Sequence, residues 1–302
     1  MDKFFTRSDL YNACTQNLIE KILIDDIIYH YTSPVGLEKI LNSNTIRFSD
    51  SAFVNDSSET RYIYEVILDV LGNHNFTAKL EDDVQEFLQF LSRSVLMDEQ
   101  SENKSEPNSL RYLCCFSMNP DSLSLWNYYT KTPTGAGFNV GFSFKEFINA
   151  LLSLDDFDLS TGKIVYKSDE QQNILRTVIC SYNDKFKNES DKEAQNIILN
   201  ELEDCLYYLA AFIKHPAFFA EEEVRIVLSM PDKAGQKRNA KYYEKSGIMI
   251  PYIPVVFDKT AVKVIGVSPV RQSSLIFDGL ASMLTDLDYC ATLLPSHIPF
   301  RD

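Results

Sequence analysis

Apolar residues recur along this chain at two spacings. Between Thr60 and Met97 they return every three or four positions, at Ile63, Ile67 and Leu71, then Val84, Leu88, Leu91 and Val95. That period predicts helix. It predicts further helices over Asp2–Ile24 (Leu10, Ala13, Cys14, Leu18, Ile22), Lys145–Leu154 and Glu170–Phe212. A shorter one follows Ser33, a fitting N-cap, with Pro34 at its first position and Leu37, Ile40 and Leu41 on its apolar face. "DSLSLWNYYT" (121–130) reads as another, capped by Asp121.

β-branched and aromatic runs bounded by turn residues predict strands instead. They are "DIIYHYTS" (26–33), the short piece "TIRFSD", "LRYLCCFSM" (110–118), the alternating "GAGFNVGFSF" (135–144), "GKIVYK" (162–167), "EEEVRIVL" (221–228), "GIMIPYIPVVF" and "AVKVIGVSP". Prolines within "GIMIPYIPVVF" place it at an edge or bend. About seven short strands interleaved irregularly with helices give an α+β class rather than a βαβ alternation. With no Pro/Gly-rich linker or repeat, 1–302 reads as a single α+β domain. It carries a helical insertion with an exposed connection over 60–109 and a largely helical one over 145–215.

Composition narrows the function classes. Hydrophobic residues make up 45% and aromatics 12% of the chain, enough for a packed core. No apolar run approaches membrane-spanning length, and the N-terminus has no signal-peptide pattern, so a cytoplasmic, non-membrane protein is expected. The net charge of −14 disfavours bulk nucleic-acid binding and leaves room only for a local basic site. The one dense basic run, "DKAGQKRNAKYYEK" (232–245), reads as a solvated loop. Six scattered cysteines without CxxC spacing and four dispersed histidines argue against disulfides or a metal. Cys114 and Cys115 are adjacent, so a strand sends them to opposite faces.

Polar residues cluster in four places at strand ends and short loops. These are His30-Tyr31-Thr32; Asn55, Asp56 and Glu59; Ser117 with Trp126, Tyr128 and Tyr129; and the run Glu221-Glu222-Glu223 with Arg225. Each has a plain structural reading: a backbone-bonded His, cap chemistry, an aromatic core, a surface ion pair. If Glu221 begins the last strand, alternation puts Glu221, Glu223 and Arg225 on one face and Glu222 on the other. Arg225 then pairs with a carboxylate. Nucleotide fingerprints of the GxGxxG and GxxxxGK[ST] type are absent.

The segments "YHYTSPVGLEKILNSNTIRFSDSAFVNDSSE", "CCFSMNPDSLSLWNYYT", "GAGFNVGF", "HPAFFAEEEVRIVL" and "GIMIPYI" occur in that order. Together they resemble a large bacterial family of unknown function, whose signature is HYT, F-x-ND-x-x-E, C-F-S, W-x-x-Y and E-x-E-x-R. Where that family tends to place Trp before the glutamates, this chain has Phe218-Phe219. The motif order also looks like the mono-ADP-ribosyltransferase fold, a small split, mostly antiparallel sheet that binds NAD.

That resemblance implies NAD as the substrate, with no metal, and transfer of ADP-ribose to an unknown acceptor or to water. It also implies a phage-defence or toxin-like role. Carried over, Glu223 is the catalytic carboxylate, Glu221 its accessory and His30 the first-strand nucleotide contact. Tyr31, Thr32, Ser117, Trp126, Tyr129 and Arg225 would line the NAD site, and Asn55, Asp56 and Glu59 the acceptor side. Nicotinamide departure leaves an oxocarbenium-like ribose that a fixed carboxylate stabilises. Two alternatives stand beside this: a non-catalytic interaction module, and a metal-dependent nuclease or phosphoesterase using Asp56, Glu59, Glu221 and Glu223. The second lacks the usual lysine, Arg225 standing in its place.

Overall fold

The computed structural model describes residues 18–53, 59–97, 109–129, 136–231, 239–269 and 273–299. Among these described residues ten strands run in chain order: β1 (Ile27–Thr32), β2 (Thr45–Asp50), β3 (Ser109–Ser117), β4 (Phe138–Ser143), β5 (Asp158–Lys163), β6 (Glu223–Pro231), β7 (Lys241–Lys245), β8 (Ile248–Val256), β9 (Val262–Val267) and β10 (Thr292–Pro295). The α-helices are α1 (Pro34–Ser43), α2 (Glu59–Leu71), α3 (His74–Thr77), α4 (Asp82–Met97), α5 (Leu123–Tyr129), α6 (Phe144–Leu151), α7 (Ser168–Asn188), α8 (Lys192–Leu209) and α9 (Ser274–Asp286).

The chain forms two compact units. One gathers Met1–Glu20, Ala52–Asn108 and Ile164–Phe219, and its described core is helical. Ile63 and Ile67 of α2, Leu88 of α4, Leu175 and Ile179 of α7 and Leu206 and Leu209 of α8 are all buried, as their helical spacing requires. Gln171, fully buried on α7, donates to the carbonyls of Val165 (2.8 Å) and Lys214 (2.7 Å) and accepts from the Tyr62 hydroxyl (3.1 Å).

The other unit, Lys21–Ser51, Ser109–Lys163 and Ala220–Asp302, holds the whole sheet. Its order is β10-β9-β4-β1-β3-β2-β8-β7, with β6 on β3 and β5 on β6. Only β10 and β9 run parallel; the other named pairs are antiparallel. β6 pairs with β3 along its full length, from Ser109↔Pro231 to Ser117↔Glu223. The opposite edge of β3 is shared, β1 meeting it at Ser117 and β2 at Leu113 and Tyr112. The ten strands thus form one open sheet that branches at β3.

Register then sorts the side chains, since paired residues point to the same face. One face carries Ile28, Cys114, Phe116, Val140, Phe142, Val224, Ile226 and Ile265, which form the core with Leu37 and Leu41 of α1, Phe147 and Ile148 of α6 and Leu280 of α9. The other face carries Tyr29, Tyr31, Cys115, Ser117, Asn139, Glu223 and Arg225.

Several expectations change here. The sheet has ten strands rather than about seven. Residues 18–24 contain no helix, and the rest of the expected first helix lies outside the described residues. "GKIVYK" contributes only Gly162 and Lys163 to β5. Its apolar residues belong to the helical unit, where Val165 makes a lone parallel bridge to Ile213. The end of the basic run is strand β7, its backbone completed by pairing with β8. Proline in β8 is tolerated for a local reason: Pro251 lies where β7 alone pairs, Pro254 where β2 alone pairs. The predicted Ser33 cap forms, its Oγ accepting from Gly36 N (3.2 Å).

Candidate functional site

Strand β6 begins at Glu223 and not at Glu221. A 3₁₀ segment, Pro216–Glu221, runs directly into it, and Glu222 takes a left-handed backbone with φ of 44°. Two-residue alternation does not operate through such a turn, so it does not place Glu221 beside Glu223. The turn is pinned to the end of β3. Ser117 Oγ donates to the Glu221 carbonyl (2.6 Å), Met118 N to the Glu222 carbonyl (2.9 Å) and Asn119 Nδ2 to Glu222 Oε1 (2.9 Å).

Glu223 is 5% exposed and Arg225 3%. Arg225 forks onto the carboxylate, Nε to Oε1 at 2.6 Å and an Nη to Oε2 at 3.1 Å. Such two-point, charge-assisted contact fixes a carboxylate in orientation as well as charge. Cys115, opposite Arg225 in the ladder, lies beside Glu223 on this face. Burial, then the neighbouring Glu223 charge, pushes that thiol well above its ordinary range, so it stays protonated at neutral pH.

The loop after Ser117 holds α5 over this face. Tyr31, buried on β1, donates its hydroxyl to the Asn119 carbonyl and accepts from Ser122 N, both at 2.9 Å. Asn139 Nδ2 donates to the Pro120 carbonyl (2.7 Å) while its Oδ1 accepts from Gly266 N (3.1 Å). Any side chain at Gly266 would meet that amide, its Cβ falling against Asn139 Oδ1. Asp121 does not cap α5; its carboxylate accepts from Trp126 Nε1 (2.7 Å), Ser296 Oγ (2.6 Å) and His297 N (2.8 Å). Trp126 is 1% exposed and meets Tyr31 edge-on, with centroids 4.6 Å apart. It is a buttress rather than an open stacking platform. Tyr129, one turn on, has its phenol pushed up by burial and by the nearby Cys115, Tyr128 and Glu223.

His30 lies apart from this group. It alternates to the core face, where its ring stands edge-on to Phe116 (5.7 Å) and Nδ1 donates to the Cys115 carbonyl (3.0 Å). Burial lowers its pKa below the ordinary value. Thr32 shares that face and is buried, its Oγ1 occupying the space a Cβ at Gly36 would need. Glu223, Arg225, Ser117, Tyr31 and Tyr129 are therefore brought together, and His30 and Thr32 are directed away. Asn55 and Asp56 lie outside the described residues, as does the Glu59 side chain, whose backbone starts α2 in the helical unit. Cys115 and Asn139 were not among the expected site residues. Placing Cys115 required the β3–β6 register; the split of Cys114 and Cys115 between faces was legible from alternation alone.

Among the described residues, no group of three or more His, Cys, Asp or Glu is placed to hold a metal ion, and no helix is long and apolar enough to cross a membrane.

A family model described as "Protein of unknown function (DUF2971)" matches residues 125–226. That match supports a family of unknown function over the stretch from α5 into β6, taking in Tyr129, Glu223 and Arg225. No curated protein and no solved structure matches the chain.

Proposed function

We propose that the Glu223 face cleaves the N-glycosidic bond of NAD, passing ADP-ribose to an acceptor or to water. The observation that carries this reading is a carboxylate at a strand entrance, buried and held at two points by Arg225, with Tyr129 and Cys115 beside it. A carboxylate oriented before substrate arrives needs no reorganisation when positive charge develops on the ribose. In that step the bond from C1′ to the pyridinium nitrogen breaks and its electron pair leaves with neutral nicotinamide. Glu223 faces the oxocarbenium-like ribose. The acceptor's lone pair then forms the new bond to C1′, and its proton passes to solvent. Tyr129 supplies a neutral phenol on the same side. His30 has no part in this step, because its ring faces the core.

Incubating the purified chain with NAD and measuring free nicotinamide tests the reading. Glu223→Gln is expected to lower release by about 10²-fold or more, the scale of losing one preorganised electrostatic group. Melting curves of the variant separate lost chemistry from lost fold. Undiminished release by a folded Glu223→Gln protein would sink the assignment.

A second reading is favoured by one observation: Arg225 engages both Glu223 oxygens, and Tyr31 and Trp126 have little open ring surface. On that reading the pair is a strut in a non-catalytic interaction module. Calorimetric titration with NAD giving no heat would select it.

A further inference from the structure

At the β2-β8-β7 end of the sheet, charge is sorted by face. β2 and β7 together carry Arg47, Asp50, Lys241, Glu244 and Lys245, and β8 carries no charged residue. The ladders pair Arg47 with Pro254, Ser49 with Tyr252, Lys241 with Tyr252, Tyr243 with Ile250 and Lys245 with Ile248. Paired residues share a face, so all three cations lie on the face of Tyr243 and Tyr252, while Asp50 and Glu244 alternate to the other. A chain of net charge −14 thus presents a patch with three cations and no acid on these three strands.

The aromatic residues of this patch are organised. The Arg47 guanidinium stands 4.6 Å from the Tyr243 ring centre and 5.1 Å from that of Tyr252. The two rings meet edge-on at 5.6 Å, and the Tyr243 hydroxyl lies 3.2 Å from Ser49 Oγ. Lys241 and Lys245 are exposed; Arg47, Tyr243 and Tyr252 are half-buried. Cations beside fixed rings on a sheet surface are the elements that bind single-stranded nucleic acid: rings stack bases of any sequence and cations follow the phosphates.

We propose that this face of β2, β8 and β7 binds single-stranded nucleic acid through Arg47, Ser49, Lys241, Tyr243, Lys245 and Tyr252. The inference is read by binding alone and stands or falls separately from the reaction proposed at Glu223. Its test is fluorescence anisotropy of the full chain with an end-labelled oligothymidylate of about 15 nucleotides, the upper range of one such site. Binding is expected at about 50 mM salt, weakening with a log–log slope near −2, as three phosphate contacts on a single strand predict. Lys241→Glu combined with Lys245→Glu, both at exposed positions, is expected to weaken binding by about tenfold or more. Tyr252→Ala is expected to weaken it by about fivefold or more. Tyr252→Phe, which keeps the ring, is expected to bind as the parent does and so separates lost stacking from a disturbed strand. No binding at low salt overturns the proposal. So does unchanged affinity in the double lysine variant, or a duplex bound as tightly as the single strand.

Discussion

Gln171 in the helical unit and Glu223 in the sheet unit are both buried polar side chains, and the fold satisfies them differently. Gln171 is neutral and ties together three groups far apart in sequence: two backbone carbonyls and the Tyr62 hydroxyl. Its bonds exchange one uncharged partner for another and serve only to staple segments. Glu223 carries charge into a buried site and holds it there with a second buried charge two residues along the same strand. Removing two charges from water is expensive, and well-packed apolar replacements often stabilise a protein more. A strut could be neutral, as Gln171 is. Retaining charge at Glu223 is what chemistry on a developing cation would require.

Breaking each side of this comparison gives effects of different size. The largest is expected at the ion pair. Glu223→Ala removes the carboxylate that the buried Arg225 cation grips at two points and should cost about 3–5 kcal/mol in urea denaturation, whereas replacing both partners, Glu223→Met with Arg225→Leu, should recover much of that loss. A double variant as unstable as the single one would show that the charges themselves hold the fold. Next is Gln171→Ala, which removes a donor from the buried carbonyls of Val165 and Lys214 and should cost about 1–3 kcal/mol. Nicotinamide release by the folded fraction is expected to be unchanged, so a loss of release there would contradict the separation of staple from site.

His30 is the smallest effect and sharpens the contrast, being titratable yet set against the Phe116 ring and the Cys115 carbonyl. Burial lowers its folded pKa beneath the ordinary value of about 6.5. As pH falls through about 6.5 the unfolded chain takes up the proton first, so the stability present above that pH declines until the folded value is passed. His30→Gln should therefore flatten the fall in urea midpoint between about pH 7.5 and 5.5. An unchanged pH slope would mean that His30 is protonated as readily in the folded chain.

Much of this architecture is legible in the residues. The helices of both insertions follow from apolar spacing, as does the face of α1 that carries Leu37, Ile40 and Leu41. Strand β7 was not legible, because Lys-Tyr-Tyr-Glu-Lys buries little and becomes a strand only by bonding to β8. The Asp121 cap failed because three other donors compete for that carboxylate, Trp126 from the next turn and Ser296 and His297 from far along the chain. Alternation through the glutamate run failed at one backbone angle, that of Glu222.

What the sequence determined by itself is local: the α+β class, most of the helices, the adjacent thiols on opposite faces, and Glu223 and Arg225 two apart on one face of a strand. Only the tertiary structure decided which strands lie beside which, and at what register. Register is a property of pairs of segments, and a shift of one residue moves every side chain to the other face. Ser117 opposite Glu223, and Tyr29 opposite Ser117, put Tyr31 on the carboxylate's face and turn His30 toward the core. No spacing within "YHYTS" or "EEEVR" contains that relation.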